Sequence, residues 1–295
     1  MLWGPTDIEG HLGSDGRHYV IDLARVFPPT CLDARVKETF LYELMRPEWV
    51  ADNSVPLSSD AFSGFSSFRM DSLDNREVFE STQRLVNVRV PEFAQWLDTA
   101  MLAPTFAHKA LKVLTEELHR RGINCRYLGR VRSHCLTEAA RNVLLVEIVA
   151  RVVKNILRER LRVLSRTLRV PGEMPYRKAI VGLLNMVLGH PPAQSQAFWR
   201  ELLVEIQVQF QQALSAAEQD PRQDLRRHLS MYLVLKRLQR LAAVTLSKQS
   251  LQELKVVERF HFFLSRANLM QSRTLRPTFA WFCPTLSTSS RRSST

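Results

Sequence analysis

Two stretches of this sequence establish its architecture. LTEELHRRGINCRYLGRV occupies residues 114–131, and LLVEIVARVVKNILRERLR follows at residues 144–162. The first has the apolar spacing of a helix and stops at Gly122, a residue that ends helices readily because it tolerates positive φ. The second combines an apolar stripe with a row of cations, which is typical of a helix that packs on one side. Together they predict a mainly helical protein.

The second stretch carries its two stripes on different faces. The apolar stripe consists of Leu145, Val149, Val152, Ile156 and Val163. The cations at three- or four-residue spacing are Arg151, Lys154, Arg158, Arg162 and Arg169. Residues at this spacing share one helix face, so several phosphates of an RNA could be neutralised together. The competing interpretation is an ordinary core helix with a solvated outer face.

A second group of cations lies just upstream. It consists of Arg120, Arg121, Arg126, Arg130 and Arg132. Tyr127 stands among them, either as a stacking partner for a base or as a core residue that anchors a turn. Gly122 and Asn124 are explained structurally, because glycine can leave the helix in the left-handed conformation and Asn can hydrogen-bond the turn.

Helical periodicity runs through most of the chain behind Pro91. Predicted helices cover residues 32–45, 92–103, 105–121, 138–169, 176–188, 197–217, 224–246 and 251–270. Pro104 and Pro221 separate neighbouring helices, since proline lacks the backbone donor that a helix interior needs. The Ser-rich residues 56–76 predict a loop. Residues 273–295 predict a disordered tail, because their Ser/Thr-rich composition buries little apolar surface.

A β-hairpin is predicted near the N-terminus. Residues 8–12 form its first strand, and a Ser-Asp-Gly turn at residues 14–16 supplies the conformational freedom that a tight turn requires. Residues 18–23 alternate and carry aromatic and β-branched side chains, as a half-buried strand does. Asp22 and Arg25 are spaced to form an ion pair.

Charge is distributed unevenly along the 295 residues, whose formal net charge is +12 at pH 7. Residues 1–103 hold 9 Lys or Arg against 16 Asp or Glu, residues 104–178 hold 17 against 6, and residues 179–295 hold 15 against 7. A basic half suits a polyanionic partner such as RNA, an acidic protein or an anionic membrane surface. The 45% hydrophobic content excludes a wholly disordered chain.

The sequence predicts no metal site, cofactor or catalytic centre. Its cysteines are Cys31, Cys125, Cys135 and Cys283, and none of them shows C-x-x-C spacing. Reduced thiols indicate a cytosolic chain, and no apolar run is long enough for a membrane span. Neither a nucleophile motif nor a phosphate-binding glycine loop is present. An enzymatic alternative would use Asp15 and Asp22 of the hairpin as acid/base groups.

Five motifs resemble the CLU (clustered mitochondria) family. HLGSDGRHYVIDLARVFPP at residues 11–29 and LYELMRPEWV at residues 41–50 resemble the end of its Clu domain. The two helical stretches quoted first resemble its central region, once named after a large subunit of a eukaryotic translation initiation factor. Phe198-Trp199 is similar to the close of that region. The resemblance covers roughly residues 5–215 and is most specific in the string LHRRGINCRYLG.

The resemblance implies four segments. They are the C-terminal part of a Clu domain at residues 1–90 with its hairpin at 8–28, a basic helical central region at 91–217, additional helices at 218–272 in place of the usual tetratricopeptide repeats, and the tail at 273–295. The expected fold class is therefore mainly α, with α+β character at the N-terminus.

The family also implies a cytoplasmic protein that binds messenger RNAs for mitochondrial proteins and affects the distribution of mitochondria. The leading hypothesis is thus a non-enzymatic module that contacts RNA, ribosomes or translation-factor proteins. Its predicted RNA-binding residues are Arg120, Arg121, Arg126, Arg130, Arg132, Arg151, Lys154, Arg158 and Arg162. The alternatives are a protein-interaction scaffold without RNA binding and an enzyme or nucleotide-binding domain around Asp15 and Asp22.

Overall fold

The computed structural model describes residues 4–31, 42–65, 72–168, 173–220, 224–246, 249 and 251–252. The predicted tail at 273–295 lies outside the described residues, as does nearly all of the predicted helix at 251–270. The described chain is mainly helical with a single N-terminal hairpin, as the sequence predicted. It divides into two compact units, Met1–Ala140 and Arg141–Thr295.

The first unit contains both strands and six of the described helices. They are β1 (Glu9–Leu12), β2 (His18–Ile21), α1 (Pro47–Ala51), α2 (Leu73–Arg84), α3 (Val90–Met101), α4 (Pro104–Ala107), α5 (Ala110–Arg120) and α6 (Leu128–His134). A π-helical turn at Leu85–Arg89 joins α2 to α3, and a 3₁₀ turn at Cys125–Tyr127 precedes α6. The long helix α7 (Glu138–Thr167) begins at the end of this unit.

The hairpin forms where it was predicted, but the expectation of a half-buried strand is wrong. β1 pairs antiparallel with β2, with Glu9 opposite Ile21, and Gly16 takes φ +75° in the turn. Every residue of both strands is exposed, because the described chain supplies only two strands and no layer that covers either face. The alternation of apolar and polar residues therefore predicted the strand correctly. It did not show whether another layer of the protein covers the apolar side of that strand.

Arg25 ties the base of the hairpin to the loop that follows α1. Its guanidinium donates to Asp7 at 2.5 and 3.0 Å and to Asp60 at 3.3 Å, and it is buried. Asp60 also accepts from the hydroxyl of Thr6 at 2.6 Å. The predicted pairing of Arg25 with Asp22 is replaced by these two carboxylates, since Asp22 turns away with φ +57°.

Helix α2 and the π-turn lie in front of Pro91, although the sequence indicated no helix between residues 46 and 91. Pro91 has no N–H to donate to the preceding turn, and the wider π-turn at Leu85–Arg89 carries the chain past it without a break. The predicted loop at 56–76 therefore ends earlier, at Leu73. Buried Val78, Leu85 and Phe93 show that the continuous helix is held by packing.

The predicted helix at 32–45 is wrong at its C-terminal end, the only part of it beyond Cys31 that the structure describes. Residues 42–45 are not helical: Tyr42 lies in a turn, Leu44 forms an isolated antiparallel bridge with Pro29, and the amide of Met45 donates to the carbonyl of Pro28 at 2.7 Å. The short helix α1 follows and buries Trp49, whose indole Nε1 donates to Ser81 Oγ at 3.0 Å. Proline at the start of α1 is favourable because its missing N–H is not needed there.

Gly122 closes α5 as the sequence predicted. It takes φ +72°, and the amide of Ile123 donates to the carbonyl of Leu118 at 3.0 Å, which is the longer bond of a Schellman cap. Asn124 then accepts from the amide of Arg126 at 3.1 Å and begins the 3₁₀ turn. A Cβ at position 122 would also lie 2.6–2.8 Å from the Cβ, Cα and N atoms of Trp49. Two features therefore require a glycine at position 122: the positive φ and the close approach of Trp49.

The second unit is helical throughout its described part. It comprises most of α7 together with α8 (Glu173–Leu188), α9 (Pro192–Gln209), α10 (Ala216–Gln219) and α11 (Met231–Ala242). Helix α9 ends at Gln209 rather than at the predicted residue 217, because Ser215 and Glu218 form a capping box that starts α10. Ser230 caps α11, so the predicted helix at 224–246 is shorter, with a 3₁₀ turn in front of it.

The glycine at position 122 gives the first testable prediction. Gly122→Ala should lower the free energy of unfolding by about 1–3 kcal/mol, since it combines an unfavourable φ with overpacking against Trp49. Chemical denaturation followed by circular dichroism measures this loss. Gly64→Ala is the matched control, because a Cβ there meets nothing within 4 Å. An equal, small effect of both variants would contradict the close approach of Trp49.

Candidate nucleic-acid interface

The start of α7 is fixed by a buried carboxylate. Asp98 on α3 accepts from the amides of Leu136 and Thr137 at 2.8 and 2.9 Å and from the Thr137 hydroxyl at 2.6 Å. Thr137 in turn accepts from the amide of Ala140 at 3.3 Å, as an N-cap does. Burial opposes ionisation of Asp98, but these hydrogen bonds outweigh it and hold its pKa below the ordinary value.

The middle of α7 is held by an ion triad in the core of the second unit. Glu147 is completely buried and accepts two bonds from Arg237 of α11, at 2.5 and 2.8 Å. Arg151, one turn along α7, donates its Nε to the same carboxylate at 2.7 Å. The triad places Arg151 in the packing of α7, away from the role that was predicted for it.

Further along, α9 lies against one side of α7. The Asn155 amide donates to Gln209 at 2.6 Å. Arg160 approaches Glu201 at 3.7 Å and lies over the ring of Phe198 at 5.7 Å from its centroid. Asn155 lies three residues before Arg158 and seven before Arg162 and therefore shares their side of α7, whereas Arg160 lies on another side. Beyond Leu157 the side chains of Arg158 and Arg162 are exposed.

Four cations follow one another along α7 at four-residue spacing, Lys154, Arg158, Arg162 and Arg166, which we call the α7 cation row; Lys154 is half-buried and the other three are exposed. A rise of 1.5 Å per residue places successive members about 6 Å apart along the axis. None of residues 158–168 is buried, and Val163 is 51% exposed although the sequence had placed it in the apolar stripe. The buried stripe of α7 ends at Leu157.

Members of the row repel one another. The pKa of Lys154 is lowered, first by partial burial and then by the charges of Arg151 and Arg158. Within the described chain, neither Arg158 nor Arg166 has an acidic partner in an ion pair. Arg162 approaches Glu159 at 3.4 Å, but both side chains are more than half exposed, and such pairs contribute little. An added anion would therefore be attracted at this face.

Arg166 belongs to the row but was absent from the predicted site. Its position four residues after Arg162 would have identified it. Arg169, which the sequence also placed on the stripe, lies outside the described residues.

The predicted cations upstream of α7 are largely engaged in the first unit. Arg120 contacts Glu116 and Glu117 at 3.0 and 2.7 Å. Arg121 contacts Glu117 at 2.6 Å and lies over the ring of Trp96, 3.9 Å from its centroid. These side chains therefore hold α5 together and fasten it to α3.

The remaining upstream residues divide between structure and surface. Arg126 donates to the carbonyl of Leu44 at 2.9 Å, and Arg132 is 1% exposed. Tyr127 is 2% exposed, which excludes it as a base-stacking residue and agrees with its alternative as a core anchor; burial raises the pKa of its phenol. Arg130 alone of the upstream group is partly exposed without an acidic partner among the described residues. Four of the five upstream arginines are thus engaged within the first unit.

The carboxylates of the enzymatic alternative lie on the exposed hairpin. Asp15 accepts from Tyr19 Oη at 2.6 Å and from the amide of Arg17 at 3.1 Å, and these bonds lower its pKa. A carboxylate that is stabilised in its charged form is a poor proton carrier near neutral pH. Within the residues that the structure describes, no three His, Cys, Asp or Glu side chains gather closely enough to hold a metal ion.

Comparison with known proteins gives two family matches and one relative. Residues 111–283 match the family described as translation initiation factor eIF3 subunit 135, and residues 1–32 match the family described as clustered mitochondria, or CLU. The first match includes both groups of cations and extends through residues 218–272.

An uncharacterized protein of Dictyostelium discoideum is 25% identical over 154 residues. These residues are 51% of this chain and 14% of that protein, so the chain corresponds to a small part of its relative. No solved structure matches. Within the described chain, the helices lack the combination of length and apolarity that crossing a membrane requires.

The ion triad gives the second prediction. Glu147→Gln should lower the free energy of unfolding by about 3 kcal/mol, because it leaves two guanidinium groups facing a neutral amide in the core. Denaturation curves at neutral pH measure the change. Glu159→Gln on the same helix removes only an exposed pair and should change stability by less than about 0.5 kcal/mol. If the two variants are equally stable, the triad does not hold α7.

The third prediction concerns Asp98. Its folded pKa is depressed, so its contribution is complete above the ordinary value of 3.8 and is lost as pH falls through the folded pKa. Asp98→Asn should therefore destabilise the protein by about 1–3 kcal/mol at pH 7. The difference from the parent should shrink at pH 3. Denaturation at both pH values tests this, and a difference that does not change with pH would contradict the assignment.

Proposed function

The chain belongs to the family described as translation initiation factor eIF3 subunit 135, and on this premise we propose that it is a non-enzymatic RNA-binding module of the translation apparatus. The RNA contacts lie on the α7 cation row. The partial CLU match at residues 1–32 supports the finer proposal that the bound RNAs include messenger RNAs for mitochondrial proteins. The module then acts in the cytoplasm and influences the distribution of mitochondria.

The observation that carries the proposal is the arrangement of the row. Four cations follow one another at about 6 Å along a helix whose buried part ends at Leu157 and is held by the bonds of Glu147 and Asn155. Evenly spaced phosphates of an RNA backbone can each approach one of these groups, with release of condensed counterions. No pocket or base-stacking aromatic ring is required. Binding should therefore be sensitive to salt and tolerant of RNA sequence.

The arginines of the row suit phosphate better than lysines would. A guanidinium presents several N–H donors in one plane and can make two parallel bonds to a phosphate. Three of the four members are arginines, and Arg158 and Arg166 need not give up an acidic partner within the described chain to bind. A ribosomal RNA surface and a messenger RNA offer the same phosphate chemistry, so ribosomes and translation-factor complexes are included among the proposed partners.

The fourth prediction tests the row directly. The triple variant Arg158→Glu, Arg162→Glu and Arg166→Glu should lose most of its affinity for single-stranded RNA. The parent should show a slope of log affinity against log salt of about −2.8, from four contacts at about 0.7 each, and the variant's slope should be smaller in magnitude by about 2.1. Fluorescence anisotropy with a labelled RNA of mixed sequence, measured across a salt series, gives both values.

A matched control separates the row from net charge. Arg76, Arg200 and Arg227 are exposed arginines elsewhere in the chain, and their change to Glu alters net charge equally. This variant should keep most of the parent's affinity and salt slope. Circular dichroism should show unchanged helix content in both variants, since exposed substitutions cost little. If both variants bind as the parent does, the row is a solvated face and the scaffold alternative is preferred.

A further inference from the structure

A serine lies within the α7 cation row. Ser165 is exposed and stands three residues after Arg162 and seven after Arg158. At these spacings it stacks one and two turns along the same face of the helix. Arg166 is its neighbour in sequence. A charge placed on the Ser165 oxygen would therefore act on three members of the row at once.

We propose that Ser165 is a phosphorylation site and that its phosphate switches off RNA binding by the row. This inference rests on the proposed function for its readout, because the phosphate would occupy the cations that RNA uses. A phosphoserine carries about −1.5 to −2 charges at neutral pH and three strong acceptor oxygens. It neutralises about two of the four cations, and charge-assisted bonds to Arg162 take up donors that RNA would otherwise receive.

The local sequence is suited to a basophilic protein kinase. Arg162-Val163-Leu164-Ser165 places an arginine three residues before the serine, a charge pattern by which such kinases select substrates. The reaction transfers the γ-phosphoryl group of ATP: the bond from Ser165 Oγ to phosphorus forms and the β–γ phosphoanhydride bond breaks. ADP leaves, and the hydroxyl proton passes to the catalytic carboxylate of the kinase.

The position of Ser165 in the helix makes the hydroxyl accessible. It lies in the last turn of α7, which ends at Thr167, and no residue from 158 to 168 is buried. The hydroxyl now donates to the carbonyl of Arg162 at 3.0 Å, a local bond that is easily exchanged. Opening one terminal turn costs little because its last carbonyls lack helical partners. The phosphate itself would disfavour this turn, since it adds negative charge at a helix C-terminus.

The chain supplies a matched control in Ser133 of α6. It is also exposed, it follows Arg130 by three residues, and its hydroxyl donates to the carbonyl of Arg130 at 2.8 Å. The two serines thus share the kinase pattern and the local hydrogen bond. They differ in their neighbours, because Arg132 beside Ser133 is buried and Arg126, seven residues before Ser133, donates to the carbonyl of Leu44.

The experiment uses the full chain treated with cyclic-AMP-dependent protein kinase and ATP, with the modified residue located by mass spectrometry. Phosphorylation of Ser165 should weaken binding to a labelled single-stranded RNA roughly tenfold near physiological salt and reduce the salt slope by about 1.4, equivalent to two contacts. Ser165→Ala treated in the same way should bind as the untreated parent does. Ser165→Glu should weaken binding in part, and Ser133→Glu should not.

The outcomes separate this inference from the function on which it rests. Loss of RNA binding in the triple-arginine variant, with unchanged binding after phosphorylation of Ser165, overturns the switch and leaves the proposed function standing. Equal weakening by Ser133→Glu and Ser165→Glu overturns the assignment to the row and indicates an effect of net charge. A kinase that leaves Ser165 unmodified overturns the site. A parent that binds no RNA overturns both proposals.

Discussion

The buried carboxylate of Glu147 is the constraint on which the packing of α7 depends. Residues 144–150 of this helix are all buried, so a charged side chain among them needs partners inside the core. Glu147 has such partners, because it accepts from Arg151 of its own helix and from Arg237 of α11. Desolvating three charges is costly, so we infer that the triad contributes the orientation of α7 more than it contributes stability. The cation row lies on the same side of α7 as Glu147, and it is exposed because the buried part of the helix ends at Leu157.

The two groups of arginines have different roles although their sequences look alike. The arginines near the end of α5 lie beside carboxylates and aromatic rings. Arg121 forms an ion pair with Glu117 at 2.6 Å, and its guanidinium also lies over the ring of Trp96. Those on α7 beyond Leu157 have few acidic neighbours. The arginines near the end of α5 thus stabilise the packing of their unit, whereas those on α7 beyond Leu157 form a solvent-exposed positive surface. The local supply of carboxylates decides between them, whereas the number of arginines does not.

Much of the fold can be predicted from residue patterns within a few positions of the sequence. Most of the site cannot, because it depends on contacts between residues far apart in the chain. Gly122 and the bounds of α7 could be predicted because helix periodicity and a C-terminal glycine act within a few residues. The partner of Glu147 could not, since Arg237 lies ninety residues away in sequence. The same holds for the burial of Arg132, which nothing in its neighbouring residues indicates. Arg166 is different: its spacing from Arg162 was visible, and the sequence interpretation overlooked it.

The π-turn at Leu85–Arg89 also governs which sides of two helices can share a core. A π-turn holds about one residue more than an α-turn, and one residue corresponds to about 100° of rotation in an α-helix. Without it, the side of α3 that buries Phe93 would be rotated away from the side of α2 that buries Val78. Packing therefore constrains the number of residues in the π-turn between α2 and α3 more strongly than it constrains which amino acids they are. A homologue one residue shorter in this segment would have to bury a different set of side chains along α3.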